Sequence, residues 1–266
     1  MNFGGIEAEF AAYANARFAV VPVPYDLTSS YQPGSRLGPA AILTASANME
    51  LYDEELQKET YRAGIYTAPF VPVDARGPQY VVDAVRRVIA DILKDHKIPV
   101  MLGGEHSISF GAVQAVKAAY PGISVLHFDA HADMRDTYQG SPYSHACVAR
   151  RICETCPIVQ VGIRSLSAEE AVFLEENRIA TYSADFVLEE RDWLETIAEH
   201  LSGDLYISID LDALDPAFMP ATGTPEPGGI FWRHILKLLR VAFQKCTVRG
   251  FDVVELSPIP VLVAPD

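Results

Sequence analysis

Short apolar, β-rich runs recur along the 266 residues, and several are followed by longer segments with helical spacing. The runs are Phe18 to Val23, Ile98 to Leu102, Ile123 to Phe128, Ile158 to Ile163, Leu205 to Leu211 and Val248 to Leu256. Between the first two, Tyr80 to Leu93 carries Val81, Val85, Val88, Ile89 and Ile92 along one helical face. Strands that alternate with helices pair in parallel, because each crossover is long enough to return the chain to the same sheet edge. The expected fold class is α/β: one domain over residues 1–266, a largely parallel sheet with helices on both faces. Ligands then bind beyond the carboxyl ends of the strands. A hydrophobic content of 49% supplies the core, and no repeat, low-complexity tract or linker divides the chain.

Those carboxyl ends carry chemistry. Asp129-Ala130-His131-Ala132-Asp133 follows Ile123 to Phe128, and Asp210-Leu211-Asp212 follows Leu205 to Ile209. Extended backbone through the first cluster would turn Asp129, His131 and Asp133 to one face. Carboxylates crowded together repel unless protonated or joined by a cation. One Asp-x-His alone reads most simply as a hydrogen-bonded strand end, but two such clusters at two strand ends point to metal. Oxygen and imidazole ligands without thiolate favour a hard or borderline divalent ion such as manganese. A third strand end, Gly103-Gly104-Glu105-His106-Ser107, has glycines suited to a tight turn into a helix. A lone histidine there would ordinarily be a packing or capping group; its place on the same sheet edge makes His106 a ligand candidate.

The formal charge of −14 argues against a nucleic-acid partner and suits small cations, although a solvated exterior is its ordinary meaning. No apolar run approaches the roughly 20 residues that span a bilayer, and the N-terminus has no basic segment leading an apolar one. A soluble, cytoplasmic protein without a membrane partner is expected. The cysteines are Cys147, Cys153, Cys156 and Cys246. Cys153 and Cys156 have zinc or redox spacing but no second pair to complete a tetrahedral site, so reduced, structural thiols are expected.

Taken together, Gly103 to Ser107, His127-Phe128-Asp129-Ala130-His131-Ala132-Asp133 and Ser208-Ile209-Asp210-Leu211-Asp212-Ala213-Leu214-Asp215-Pro216 resemble the ureohydrolase family, which includes arginases and agmatinases. Pro33-Gly34-Ser35-Arg36-Leu37-Gly38-Pro39, Pro220 to Pro225 and Phe251 to Pro258 extend the resemblance over most of the chain. It implies two Mn2+ ions held by His106, Asp129, His131, Asp133, Asp210 and Asp212. An ion pair about 3.5 to 4 Å apart holds a bridging water and lowers its pKa. The resemblance also implies that Glu255 binds the planar guanidinium and that His145 passes a proton to the departing amine, work suited to an imidazole titrating near neutrality. A glycine usually follows this histidine, and Ala146 stands there instead. Outside this context Glu255 reads as a strand-end carboxylate and His145 as a loop histidine. His127 reads as a residue behind the ligands or in the core, and His96, His200 and His234 as surface or packing groups.

Arginases carry an Asn soon after the Asp-x-His-x-Asp run and acidic residues after Gly-x-Arg, which hold the amino-acid end of arginine. Here the stretches are Met134-Arg135-Asp136 and Gly162-Ile163-Arg164-Ser165-Leu166-Ser167. The expected substrate is therefore a small cationic guanidino-amine such as agmatine, hydrolysed to urea and an amine, with Glu169 or Glu170 facing its distal ammonium. The alternatives are a ureohydrolase acting on aminopropylagmatine, guanidinobutyrate, arginine or a formimino substrate, and a metal-binding protein without turnover. The resemblance also implies a homo-oligomer. Family members usually continue past the Glu255 strand into another helix, and this sequence ends at Asp266, so a domain truncated at its C-terminus is expected.

Overall fold

The structure is a computed structural model that describes residues 2–259. Its centre is one sheet of eight strands: β1 (Phe18–Val23), β2 (Ile65–Thr67), β3 (Ile98–Gly103), β4 (Ser124–Phe128), β5 (Ile158–Ile163), β6 (Ala180–Ser183), β7 (Gly203–Asp210) and β8 (Cys246–Val254). Their order is β2-β1-β3-β8-β7-β4-β5-β6, and every neighbouring pair is parallel. The α/β class read from the alternation is thus the observed one. β2 and β6, at the two sheet edges, did not stand out in the sequence. Each is short and only half-buried, so neither shows a long apolar run.

Side chains alternate between the two faces of a strand, and the core divides accordingly. Val21, Met101 and Val125 pack with the helices Pro78–Lys94, Ser109–Ala119 and Val148–Cys153 on one face. Leu126, Val159, Leu205 and Ile207 pack on the other with Ala184–Glu189, Trp193–Ala198 and Trp232–Lys245. The helix expected over Tyr80 to Leu93 runs Pro78–Lys94, with Pro at its first turn where no amide partner is needed, and buries Val81, Val85, Ile89 and Ile92. No helix among the described residues is long and apolar enough to cross a membrane.

β7 and β8, last in sequence, insert between β3 and β4. The carboxyl ends of β3, β8, β7 and β4 therefore lie side by side, which brings the segments following Gly103, Val254, Asp210 and Phe128 together. Gly104 is required there for close approach rather than for an unusual φ. A Cβ on it would lie 1.8 Å from the Tyr25 carbonyl oxygen, where the Glu105 amide donates to that same oxygen at 2.7 Å. The expected C-terminal truncation concerns chain beyond the described residues.

Candidate metal centre

β4 stops at Phe128, and extended backbone does not continue to Asp133. Asp129 Oδ1 instead accepts the His131 amide at 2.7 Å, and Asp133 takes a left-handed φ of 51°. A short acidic side chain competes with the sheet for a nearby amide, so the chain bends at that point. The bend curls residues 129–133 around a point rather than laying them on one face. Asp210 closes the same kind of turn after β7, its Oδ1 accepting the Asp212 amide at 2.8 Å. The Ala130 amide joins the two turns by donating to Asp212 Oδ1 at 3.0 Å. Ordinary turn chemistry and a ligand cluster thus coexist in the same residues.

The six side chains expected as ligands converge. His106 Nδ1 lies 3.0 Å from Asp129 Oδ2, 3.2 Å from Asp210 Oδ2 and 3.8 Å from Asp133 Oδ2. His131 Nδ1 lies 3.0 Å from Asp212 Oδ2 and 3.6 Å from Asp129 Oδ1. Asp129 therefore stands between two subsets, one around His106 and one around His131. All four aspartates are buried. Burial, followed by the charge of Asp129, raises Asp133 well above the carboxylate range, and burial with Asp212 and Asp129 does the same to Asp210. Burial opposes ionisation of Asp129 too, but its contacts with His106, His127 and His131 hold it well below that range. Burial pulls His131 down while Asp129 and Asp212 push it up, to about 12. Without a cation, protons must carry the balancing charge.

One atom tests whether a metal fits. His106 Nδ1 is fully buried among carboxylate oxygens and makes no hydrogen bond. Its Nε2 meets Ser208 Oγ at 2.8 Å, and the Ser208 hydroxyl donates to Asp252 Oδ1 at 2.7 Å. Asp252 also accepts the Tyr206 hydroxyl at 2.7 Å. With the serine proton committed to Asp252, Nε2 is the donor and Nδ1 presents a lone pair. The carboxylates do favour a proton on this ring against its burial, yet no hydrogen-bond geometry receives one at Nδ1. A cation among these oxygens satisfies both the lone pair and the carboxylates, and the outer hydrogen bond orients the ring as in metal-bound histidines. The hard oxygen and imidazole donors suit manganese-like divalent ions.

Behind the ligands lies a row of polar groups of which only His127 was expected there, all buried except the half-buried Thr181. Thr181, Gln160, His127, Ser208 and Asp252 stand opposite one another across β6, β5, β4, β7 and β8. Gln160 Nε2 donates to the Ala132 carbonyl at 2.8 Å and faces His127 Nδ1 at 3.3 Å. His127 Nε2 is then the donor to Asp129 Oδ2, 3.0 Å away. The signal was present in β7, where Tyr206, Ser208 and Asp210 alternate with Leu205, Ile207 and Ile209. A period of two places those polar groups on one face of a buried strand.

His145 and Glu255 lie beside this cluster. His131, Asp133 and His145 line a cleft of about 230 Å³ with Arg135, Tyr138, Ser165 and Ser167. The His145 amide donates to Thr28 Oγ1 at 3.0 Å, and its Nε2 meets Ser30 Oγ at 3.2 Å. Thr28 is itself held by Glu105, through its amide at 2.6 Å and its hydroxyl. Burial, reinforced by the charge of His131, lowers His145 to about 4, so the ring rests neutral instead of titrating near neutrality. Glu255 has a left-handed φ of 65°, and its Oε1 accepts the His106 amide at 2.8 Å. A non-glycine residue held there stores strain, a common property of functional positions. Burial and the nearby Glu105 raise Glu255 to about 8. Glu170 also lines this cleft, where its oxygens accept the Met134 amide at 2.9 Å and the Ser167 amide at 2.7 Å. Glu169 lines a neighbouring cavity with Asp136 and Arg150. All four cysteines are free, and burial pushes Cys147, Cys153 and Cys156 up to about 11.

Residues 16–261 match the model of the arginase family. The chain belongs to the arginase family. The amidinohydrolase class expected from the motifs is therefore the right one, and the family is metal-dependent, in keeping with the two ligand clusters. It is 38% identical over 263 residues to an N(1)-aminopropylagmatine ureohydrolase of Synechocystis, covering 96% of this chain and 86% of that protein. A protein of the same name from Thermus thermophilus is 42% identical over 249 residues, covering 93% and 85%. The crystal structure of agmatine ureohydrolase from Thermoplasma volcanium superposes with a TM-score of 0.85 at 36% identity, covering 93% of this chain and 84% of that one.

Proposed function

We propose that this arginase-family enzyme hydrolyses a guanidino-amine of the agmatine or aminopropylagmatine type to urea and an amine, using two manganese ions. The observation that carries the reading is the buried lone pair of His106 Nδ1 among Asp129, Asp133 and Asp210, beside His131 and Asp212. In this reading His106, Asp129, Asp133 and Asp210 serve one or the other ion, and His131 and Asp212 complete the pair. When bound, such ions supply Lewis acidity and a water acidic enough to act as a nucleophile near neutral pH.

The chain's own residues supply the rest. Glu255 offers two carboxylate oxygens to a planar guanidinium. With a resting pKa of about 8 it is a poor anion until a cation arrives, and the substrate itself then favours its ionised form. His145, neutral at rest, offers Nε2, where Ser30 Oγ now sits, to take up the proton that the attacking water loses and deliver it to the amine nitrogen as its bond to carbon breaks. Its backbone is fixed through Thr28 to Glu105, next to the ligand His106.

The cleft decides the tail. Ser165 and Ser167 line it where an arginase would present acidic groups, Met134 is buried, and Glu170, also in the lining, is held in place by backbone amides. A substrate carboxylate would lose hydration there without the arginase clamp to replace it. Arg135 also lines the cleft, and this observation favours a second reading, a guanidino acid such as guanidinobutyrate. Urea release from agmatine, aminopropylagmatine, guanidinobutyrate and arginine by manganese-loaded protein separates the readings. The guanidino-amines should give the highest kcat/KM. Equal or better turnover of arginine would replace the assignment with an arginase.

A further inference from the structure

We infer that Arg164 is a positioning residue that clamps the Asp210–Asp212 turn to the loop carrying Glu226, and so sets the spacing of the metal ligands. The inference rests on the reading that Asp212 and His131 hold metal. Arg164 follows β5 just after Gly162, whose φ of 101° coincides with the break in the β5–β6 register. Its amide donates to the Ala130 carbonyl at 2.8 Å, which anchors it to the Asp129 turn. Its guanidinium then reaches backbone carbonyls of two further segments. Nη2 donates to Asp212 at 2.8 Å and to Glu226 at 2.7 Å, Nη1 to Gly162 at 3.1 Å and Ala213 at 3.3 Å, and Nε to Pro227 at 3.1 Å.

The side chain bridges the Asp212–Ala213 turn and the Glu226–Pro227 loop while its own backbone holds the Asp129 turn, work suited to a planar fork of five donors. Contacts that depend on the spacing follow from it. Asp212 Oδ1 accepts the Ala130 amide at 3.0 Å, and Asp212 Oδ2 accepts the Thr224 hydroxyl at 3.3 Å. Glu226 Oε1 lies 3.7 Å from His131 Nε2, on the side of the ring away from Asp212, and accepts the Ser165 hydroxyl at 3.2 Å. A carboxylate behind a ligating imidazole holds its orientation. Loss of the guanidinium frees the two loops to move apart, and a ligand set tolerates displacements of only about 0.5 Å.

The test is manganese binding to folded Arg164→Lys and Arg164→Met, followed by titration calorimetry, with near-UV circular dichroism of the metal-free proteins as the control for fold. Both variants should keep the wild-type spectrum and bind the weaker of the two ions about 10 to 100 times less tightly. Lysine should not rescue, because a point charge cannot replace the several donors that bridge the Asp212–Ala213 turn and the Glu226–Pro227 loop. Wild-type affinity for both ions in folded Arg164→Lys would overturn the clamp. If neither variant folds, hydrogen exchange of the wild-type protein decides. The amides of Asp212, Leu214, Gly228 and Gly229 should gain protection together when manganese is added, and protection confined to one segment would overturn the inference. A wild-type protein that binds no ion would instead remove the metal reading on which the inference stands.

Discussion

Ser208→Ala removes one hydroxyl from a strand far from solvent, and its cost can be worked from two atoms. His106 Nε2 loses its only acceptor at 2.8 Å, and Asp252 Oδ1 loses its donor at 2.7 Å while Oδ2 keeps Tyr206. Each buried group left short of a partner costs about 1 to 3 kcal/mol, so about 2 to 6 kcal/mol in total is expected. For a protein of this size that lowers Tm by about 4 to 24 °C. The free imidazole is also released from the tautomer that aims its Nδ1 lone pair at the carboxylates, so manganese affinity should fall about 10- to 100-fold. Thermal unfolding of the metal-free protein reads the first effect and titration calorimetry the second. Ser208→Thr, which keeps a hydroxyl, should lose less of both. A Ser208→Ala protein with unchanged Tm and unchanged manganese affinity would refute the role given to this chain of hydrogen bonds.

Asp129→Ala should lose metal and turnover together, since Asp129 stands between both ligand subsets; elemental analysis alongside urea release checks it, and retention of two ions would count against it. His145→Ala should keep both ions but lose on the order of 10² to 10⁴ in kcat, the range of a general acid or base, and wild-type turnover would exclude the role. Glu255 gives a pH dependence whose sign is set by its raised pKa of about 8. A carboxyl that holds its proton in the folded state contributes stability below the ordinary carboxylate pKa, lost as pH rises through the folded value. The metal-free wild type should therefore lose Tm between about pH 5 and pH 8, and Glu255→Gln should flatten that fall; parallel curves for the two proteins would contradict it.

Much of the fold was legible because a central parallel strand is buried on both faces and reads as an apolar run, as β1, β3, β4 and β5 do; β7 and β8 are apolar enough to be found but carry polar residues, among them Ser208, Arg249 and Asp252. β2 and β6 were not, since an edge strand of three or four residues with half-exposed side chains has no such run. The six ligand candidates were legible as residue types at strand ends. Their arrangement was not: the bend at Asp129 is local turn chemistry, but the convergence of the turns and the left-handed Glu255 depend on which strand ends become neighbours. Glu170 illustrates the converse. Ser167 with Glu170 three residues on is a helix-capping signature, and the structure uses it as one. Its carboxylate caps the backbone while also lining the cleft. Ser208, Asp252 and Arg164 sat inside quoted motifs, but their work depends on which strands become neighbours, and only the β8-β7-β4-β5 order reveals it.

The central claim, a two-ion hydrolase of guanidino-amines, is tested most directly by titrating metal-free protein with manganese while measuring bound ions and urea released from agmatine and aminopropylagmatine. Activity should rise to a plateau at about two ions per chain, as a two-metal site requires, and chelation should abolish it. A plateau at one ion, or urea release that survives complete removal of metal, would contradict the account.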